Sequence, residues 1–216
     1  MVMKVYGSLV SSNVVRVLVC LEEAGAEYEL VPIDFAAGEH KSPAHLARNP
    51  FGQVPVLQDG DLILFESRAI SRYILRKHKS TCVDLLKVVN LQESALVDQW
   101  LEVEAQKYDP AVSPIVFQLL VLPMLGGVCD QAVVDAALPK LEKVLDVYEA
   151  RLSKSKYLAG DSVTLADLSH VPLTYYFMGT PYASIMESYP NVKKWWEALM
   201  ARPAMKKVAA TLSTSA

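Results

Sequence analysis

Asn49-Pro50-Phe51-Gly52-Gln53-Val54-Pro55, followed one strand-length later by Glu66-Ser67-Arg68, decides how the first part of this chain folds. Pro55 has no N–H to give to a sheet ladder, so it belongs at the start of a strand, where the backbone groups of the preceding Val54 stay available to another partner. Val54-Pro55 is also an X-Pro bond, the only kind with an appreciable cis population. The apolar runs Val56-Leu57 and Leu62-Ile63-Leu64-Phe65 are joined by Asp59-Gly60-Asp61, which predicts a hairpin. The helix that follows then starts near the edge that Pro55 leaves open. Ser67 is the expected cap of that helix, and the unpaired N–H groups of its first turn, aided by the helix dipole, suit a carboxylate. Glu66 beside them suits an ammonium group. Taken singly these are an ordinary turn and an ordinary cap; their order and spacing imply a binding edge for a small, extended, anionic peptide.

Working outward, Lys4-Val5-Tyr6 opens a strand, Gly7 to Ser12 form a polar loop, and a helix starts at Asn13 with Val14, Val17, Leu18 and Leu21 on one face and Gly25 at its end. Tyr28 to Ile33 alternates as a second strand. Ser42 and Pro43 fit the cap and first turn of a short helix reaching Arg48. Residues 1–79 therefore read strand, helix, strand, helix, strand, strand, helix, the order of a thioredoxin-like α/β domain. The pattern dissolves over 80–90, which predicts a linker, and only helical spacing follows, so 91–216 is expected to be an all-α domain. Its first helix starts at Leu91 with Leu96, Trp100, Val103 and Tyr108 as the buried stripe; Pro110 and Pro114 should kink or split it, and Gly126-Gly127 stops it. The next carries Val134, Leu141, Leu145, Tyr148 and Leu152 on one stripe, with Pro139 implying either a kink or a later start. Thr164-Leu165-Ala166-Asp167 has the spacing of a capping box and reads as a folding determinant. Trp195 and Trp196 sit in a penultimate helix before Pro203, and a last short helix covers Met205 to Ala210.

The 216 residues are 52% hydrophobic, ample for a core, and the net charge is −3 with a pI of about 5.8, which disfavours a nucleic-acid partner. The dense basic run Arg76-Lys77-His78-Lys79 complements a helix dipole. Met1-Val2-Met3-Lys4 has neither a signal-peptide core nor a Gly for acylation, and no apolar run approaches the roughly 20 residues that span a bilayer. Cys20, Cys82 and Cys129 are too scattered for a disulfide framework or a zinc site. A reducing, cytoplasmic setting without a membrane partner or metal is expected.

In thioredoxin-like redox proteins a Cys-x-x-Cys pair opens the first helix, where amides and dipole depress a thiol pKa. Here Ser11-Ser12-Asn13 occupies that place. A serine there suits donation of a hydrogen bond to a thiolate that a ligand brings. A hydrolase nucleophile is disfavoured, because Gly-x-Ser-x-Gly is absent and no histidine is placed near Ser11.

Met3 to Gly7 with Ser11, Glu39 to Pro43, Asn49 to Pro55, Phe65 to Ile70, Leu158-Ala159-Gly160-Asp161 and Val192 to Trp196 carry a resemblance, in order and over essentially the full length, to a plant phi-class glutathione transferase. The resemblance implies glutathione bound by the first domain and a hydrophobic electrophile bound partly by the helical one. Ser11 matches the serine that stabilises the glutathione thiolate; Tyr6, at the position other classes use for that task, is the rival. His40 and Lys41 match residues near the glycyl carboxylate; Gln53, Val54 and Pro55 match the strand edge that pairs with the cysteinyl unit; Glu66 and Ser67 match the γ-glutamyl clamp. Val10, Ser12, Phe35, Phe117, Val121 and Tyr176 match the electrophile pocket. The resemblance further implies detoxifying conjugation, a related reduction of hydroperoxides, glutathione as co-substrate with no other cofactor, and a homodimer with Phe51 and Arg68 toward the partner. The alternative from another class is a non-catalytic ligand carrier or interaction module on the same fold.

Overall fold

The computed structural model describes residues 2–79 and 83–213. Cys82 and residues 80–82 of the expected linker lie outside the described residues. The chain separates into two units, one running to Leu86 and resuming at Arg202, the other Lys87–Ala201.

The first unit runs β1 (Met3–Gly7), α1 (Ser12–Ala24), β2 (Tyr28–Pro32), a 3-10 turn (Glu39–Lys41), α2 (Pro43–Leu46), β3 (Val56–Asp59), β4 (Leu62–Phe65) and α3 (Ser67–Lys77). This is the thioredoxin-like order expected from the sequence. The strands form one sheet, β2-β1-β3-β4, with β1 and β2 parallel and the other pairs antiparallel. A parallel pair needs a crossover, and α1 supplies it. Val56 faces Tyr6 on one side and Phe65 on the other, and directly opposed residues share a sheet face. Tyr6, Ile33 and Val56 accordingly form a buried cluster on which Val31, Val54 and Phe65 pack.

Helix α1 is buried from Val14 through Leu21 and closes at Gly25, whose left-handed φ of 61° lets its N–H reach the carbonyls of Glu22 and Leu21. Gly7 lets this helix sit against β1: a Cβ there would lie 2.4 Å from Val14 Cγ2. Pro43 opens α2, and Ser42 Oγ accepts from the His45 N–H at 3.2 Å. Lys77 pairs with Asp59 and Tyr73 donates to the same carboxylate at 2.6 Å, which ties the hairpin turn to the end of α3 and holds the Asp59 carboxyl below its usual range. That basic run therefore serves an ion pair as well as the dipole.

Two boundaries differ from the sequence reading. α1 starts at Ser12, with Ser11 in the cap position, one residue before the expected Asn13. The final helix, α10 in chain order (Pro203–Ser213), groups with the first unit and not with the helical one. Arg202 grips Glu23 of α1 through two 2.6 Å bonds, and Lys207 pairs with Glu22 at 2.7 Å; acid on one segment and base on another nearly the whole chain away leave no local signal.

The helical unit opens with α4 (Leu91–Val103), capped by Asn90 Oδ1, which accepts from Gln92 and Glu93. A π turn (Glu104–Tyr108), α5 (Asp109–Val116), a second π turn (Phe117–Val121) and α6 (Leu122–Met124) follow without a break in helical backbone. The π turns flank the Pro110–Pro114 segment, where missing N–H donors loosen the ordinary ladder. The buried stripe of α4 runs through Val97, Trp100 and Leu101, and Leu96 points outward, one position from where periodicity put it. α7 (Gln131–Leu152) passes through Pro139 and buries all five stripe residues, so the later start is excluded. α8 (Leu165–Met178), a 3-10 turn (Ala183–Ser188) and α9 (Pro190–Met200) complete the unit. The first amides of α9 are satisfied from α7: Glu149 accepts from the N–H groups of Asn191 and Val192 at about 3.0 Å. Within this core His170 Nδ1 lies 2.7 Å from the Ala166 carbonyl, which only accepts, so Nε2 is the acceptor for the Tyr148 hydroxyl at 2.7 Å. Among the described residues no helix is long and apolar enough to cross a membrane.

Candidate active site

Ser11 holds the cap position of α1 in extended backbone (φ −88°, ψ 115°), yet its side chain makes no capping bond, and α1 has no acidic residue in its first turn. The hydroxyl is thus left for another partner at an electropositive helix start. Tyr6 is placed differently. Its ring is buried, its hydroxyl donates to Gln58 Oε1 at 2.8 Å, and the Arg48 guanidinium lies 4.3 Å from the ring centroid. The one thiol nearby in sequence, Cys20, is buried, which pushes it to about 12 and keeps it protonated.

The second part of the site is the segment that carries the opening motif. The Val54–Pro55 bond is cis, and β3 begins at Val56. Val54 turns its side chain onto the Tyr6 cluster, while its N–H and C=O pair with no other described residue. The preceding carbonyl, that of Gln53, is fixed instead: Asn49 Nδ2 donates to it at 2.9 Å and His45 Nε2 lies 3.0 Å away. Asn49 and His45 are both buried, so the edge hangs from two inward polar side chains. Gly52 brings this loop against residues 40 and 41. Its φ is 59°, and a Cβ there would meet the His40 carbonyl at 2.8 Å and Lys41 Nζ at 2.9 Å, so conformation and space both require glycine. Lys41 Nζ donates to the Phe51 carbonyl at 3.0 Å. His40 stands with its ring 5.1 Å from that of Phe35, and its buried Nδ1 has no described partner.

The third part is the start of α3. Glu66, not Ser67, occupies the cap position, and it does so at φ 71°, ψ 104°, an uncommon conformation for a residue with a side chain. The expectation that Ser67 caps α3 is therefore corrected. Ser67 is the first helical residue, 5% exposed, and its hydroxyl is drawn inward by Arg16, whose Nη1 donates to it at 2.8 Å. Asn13 Oδ1 accepts from the same guanidinium and lies 3.2 Å from Ser67 Oγ. The start of α1 and the start of α3 are thus joined through Asn13, Arg16 and Ser67, while the exposed Glu66 carboxylate is left outside.

Of the expected electrophile-pocket residues, Val10 (49% exposed), half-buried Ser12 and half-buried Phe35 lie in the first unit. In the helical unit Phe117 and Val121 fall on the second π turn, and Tyr176 lines a cavity of about 440 Å³ with Leu120, Tyr175, Met178, Trp196 and Met200. Burial, then the neighbouring Tyr175, pushes the Tyr176 hydroxyl up to about 12. Among the described residues no group of three His, Cys, Asp or Glu side chains gathers to hold a metal.

Sequence reasoning missed the residues that support the site: Arg16, Asn13, His45 and Asn49. For Arg16 a signal existed, a lone cation inside Val14-Val15-Arg16-Val17-Leu18-Val19, since a charge on a buried face needs a buried partner. His45 had no such mark.

Comparison with known proteins sets this geometry in context. Two family models match, one described as the glutathione S-transferase N-terminal domain over residues 1–76 and one as the C-terminal domain over residues 108–203. The chain is 61% identical to a probable glutathione S-transferase GSTF1 of Oryza sativa subsp. japonica, covering 97% of this chain and 96% of that protein. Among solved structures it resembles glutathione S-transferase I bound with lactoylglutathione, at a TM-score of 0.93 and 60% identity over 97% of this chain and 99% of that one. It also resembles glutathione S-transferase I from maize in complex with an atrazine glutathione conjugate, at a TM-score of 0.94 and 59% identity with both chains fully covered.

Proposed function

Because the chain belongs to the glutathione S-transferase family, and within it to the plant phi class, we propose that it conjugates glutathione to hydrophobic electrophiles with Ser11 as the group that stabilises the thiolate. The Ser11 hydroxyl donates to the sulfur, which ionises by releasing its proton to bulk water; the thiolate attacks the electrophilic carbon, the carbon–sulfur bond forms, and the leaving group departs with the bonding pair. Catalysis comes from the lowered thiol pKa and from holding the two reactants together. The observation that carries this reading is the cap-position Ser11 whose hydroxyl caps nothing, beside a Tyr6 whose hydroxyl is committed to Gln58.

Around that centre the proposed roles are those the geometry accommodates. The unpaired Val54 backbone groups suit β-strand addition by the cysteinyl unit. His40 Nδ1 and the Lys41 ammonium suit the glycyl carboxylate, and Gln53 and Pro55 shape the edge. The Ser67 amide and hydroxyl suit the γ-glutamyl carboxylate, and the Glu66 carboxylate suits its ammonium. Val10, Ser12 and Phe35 of the first unit, and Phe117, Val121 and Tyr176 of the helical unit, are the proposed electrophile contacts. With a hydroperoxide as acceptor, two glutathione molecules would yield the disulfide, an alcohol and water. Glutathione is then the co-substrate and no other cofactor takes part. The setting proposed is the cytosol.

Conjugation of glutathione to a chloronitrobenzene, followed by product absorbance, is the direct test, with chloride as the leaving group. Tight binding of apolar ligands with no turnover across several electrophiles would replace this reading by that of a carrier. A homodimer is also proposed, supported by Phe51, which is 64% exposed yet held edge-on against Phe65 at 6.0 Å. Sedimentation is expected to give about twice the chain mass of 23.8 kDa, and a species of single-chain mass at micromolar concentration would refute it.

A further inference from the structure

We propose that Arg16 is a positioning residue for the γ-glutamyl α-carboxylate of glutathione, acting through the Ser67 hydroxyl without touching the ligand; this rests on the reading of the site given above. Arg16 is fully buried, and a guanidinium stays charged in any protein environment. A buried cation is costly unless hydrogen-bonded, and here Nη1 is directed at two neutral oxygens, Asn13 Oδ1 and Ser67 Oγ. Both belong to residues at helix starts in the site: Asn13 follows Ser11 and Ser12 on α1, and Ser67 opens α3 beside Glu66.

The geometry gives Ser67 a defined division of labour. A hydroxyl has one proton and two lone pairs. One lone pair is taken by Arg16 at 2.8 Å, while the proton faces Asn13 Oδ1 at the longer 3.2 Å. A carboxylate arriving at the first turn of α3 is a stronger acceptor than an amide oxygen, so the proton turns to it. Asn13 Oδ1 is not orphaned by the exchange, because Arg16 still donates to it. The result is a chain from guanidinium to hydroxyl to carboxylate, in which each hydrogen bond polarises the next. The first turn of α3 carries no acidic residue, and the Glu66 carboxylate at its cap is exposed to solvent. Arg16 therefore makes the site select a peptide whose N-terminal unit carries a free α-carboxylate.

The test compares two peptides by titration calorimetry on the full chain: glutathione and 4-aminobutyryl-cysteinylglycine, which differs only in lacking the α-carboxylate. Arg16→Gln is expected to weaken glutathione binding about 10- to 30-fold and to leave binding of the decarboxy peptide within about twofold of the unmutated chain. The losses from Arg16→Gln and Ser67→Ala should also be non-additive, since both break one chain. Should Arg16→Gln not fold, Arg16→Lys serves in its place: it keeps the buried charge but lacks the fork, and about 3- to 10-fold is expected for glutathione alone. An equal loss for both peptides, or no loss, would overturn the role of Arg16 while leaving the proposed function standing. Failure of the unmutated chain to bind glutathione would overturn both.

Discussion

Replacing Ser11 by Ala is expected to raise the pKa of the bound glutathione thiol by about 1–2 units, while Tyr6→Phe leaves it unmoved. A hydrogen bond to a charged group contributes about 1.5–3 kcal/mol, and one pKa unit corresponds to about 1.36 kcal/mol. One hydroxyl donated to a thiolate therefore lowers a thiol from about 8.5 by that amount. The dipole of α1 is intact in the variant and adds only about 0.3–1 kcal/mol, so the variant thiol should titrate between the wild-type value and that of free glutathione. Tyr6 is on the other side of the ledger because its hydroxyl already donates to Gln58 at 2.8 Å. The rate follows with a smaller amplitude. Near pH 6.5 the thiolate population falls about 10- to 50-fold, but a more basic thiolate is more nucleophilic, with a Brønsted coefficient of about 0.4–0.5. The net loss in kcat/KM should be about 3- to 10-fold at pH 6.5, and it should disappear and turn into a modest gain above the variant's own pKa, where both thiols are ionised and the more basic one is the better nucleophile. Ultraviolet titration of bound glutathione and the pH profile of kcat/KM measure the two quantities. A larger shift in Tyr6→Phe than in Ser11→Ala would sink the assignment.

The sequence made the first unit legible wherever a residue's own backbone rules decide the outcome. Pro55 at a strand start, Gly60 in the hairpin turn, Gly25 at a helix end and Pro43 at a helix start are each read locally, and each stands where expected. The placement of the proposed site residues was legible to the same depth. Ser11, Gln53, Val54, Glu66 and Ser67 belong to turns and helix starts whose position follows from those punctuation marks. What the sequence hid is set by distant partners. Ser67 looked like a cap because serine usually is one; Arg16, 51 residues earlier, takes its hydroxyl instead. Arg202 meets Glu23 across 179 residues, and nothing local announces that α10 returns to the first unit. Leu96 was misplaced by one position because Leu96 and Val97 are both apolar and stand four and three residues before Trp100, so helical spacing alone does not choose between them; packing buries Val97 and leaves Leu96 outward.

Asp167→Ala is expected to destabilise the protein by about 3–5 kcal/mol, out of the roughly 5–15 kcal/mol that a folded domain has. Asp167 is fully buried and joins three segments. It accepts from the Leu158 N–H at 2.9 Å, from the Thr164 N–H at 2.8 Å and hydroxyl at 2.9 Å, and from Trp195 Nε1 at 2.9 Å. Its backbone belongs to the first turn of α8, where a negative charge is favoured. Truncation leaves those donors buried without an acceptor, and each such group costs about 1–3 kcal/mol, with relaxation and water entry reducing the sum. Asp167→Asn separates charge from hydrogen bonding. Its single oxygen can serve the donors at one carboxylate position, but its amide turns hydrogens toward the donors at the other, so an intermediate loss of about 2 kcal/mol is expected. The pH dependence carries a further sign. Burial raises the Asp167 carboxyl above its ordinary value against the pull of its four hydrogen bonds, so between the ordinary and the raised value the folded chain holds a proton that the unfolded chain releases. This group's contribution to stability then falls as pH rises through that interval, and the Asn variant should lack that slope. Urea unfolding followed by tryptophan fluorescence reads both effects, since Trp195 and Trp196 are buried in the folded chain and become exposed on unfolding. A midpoint for Asp167→Ala corresponding to less than about 1 kcal/mol of loss would mean that α8, α9 and the Leu158 loop are held together by packing alone.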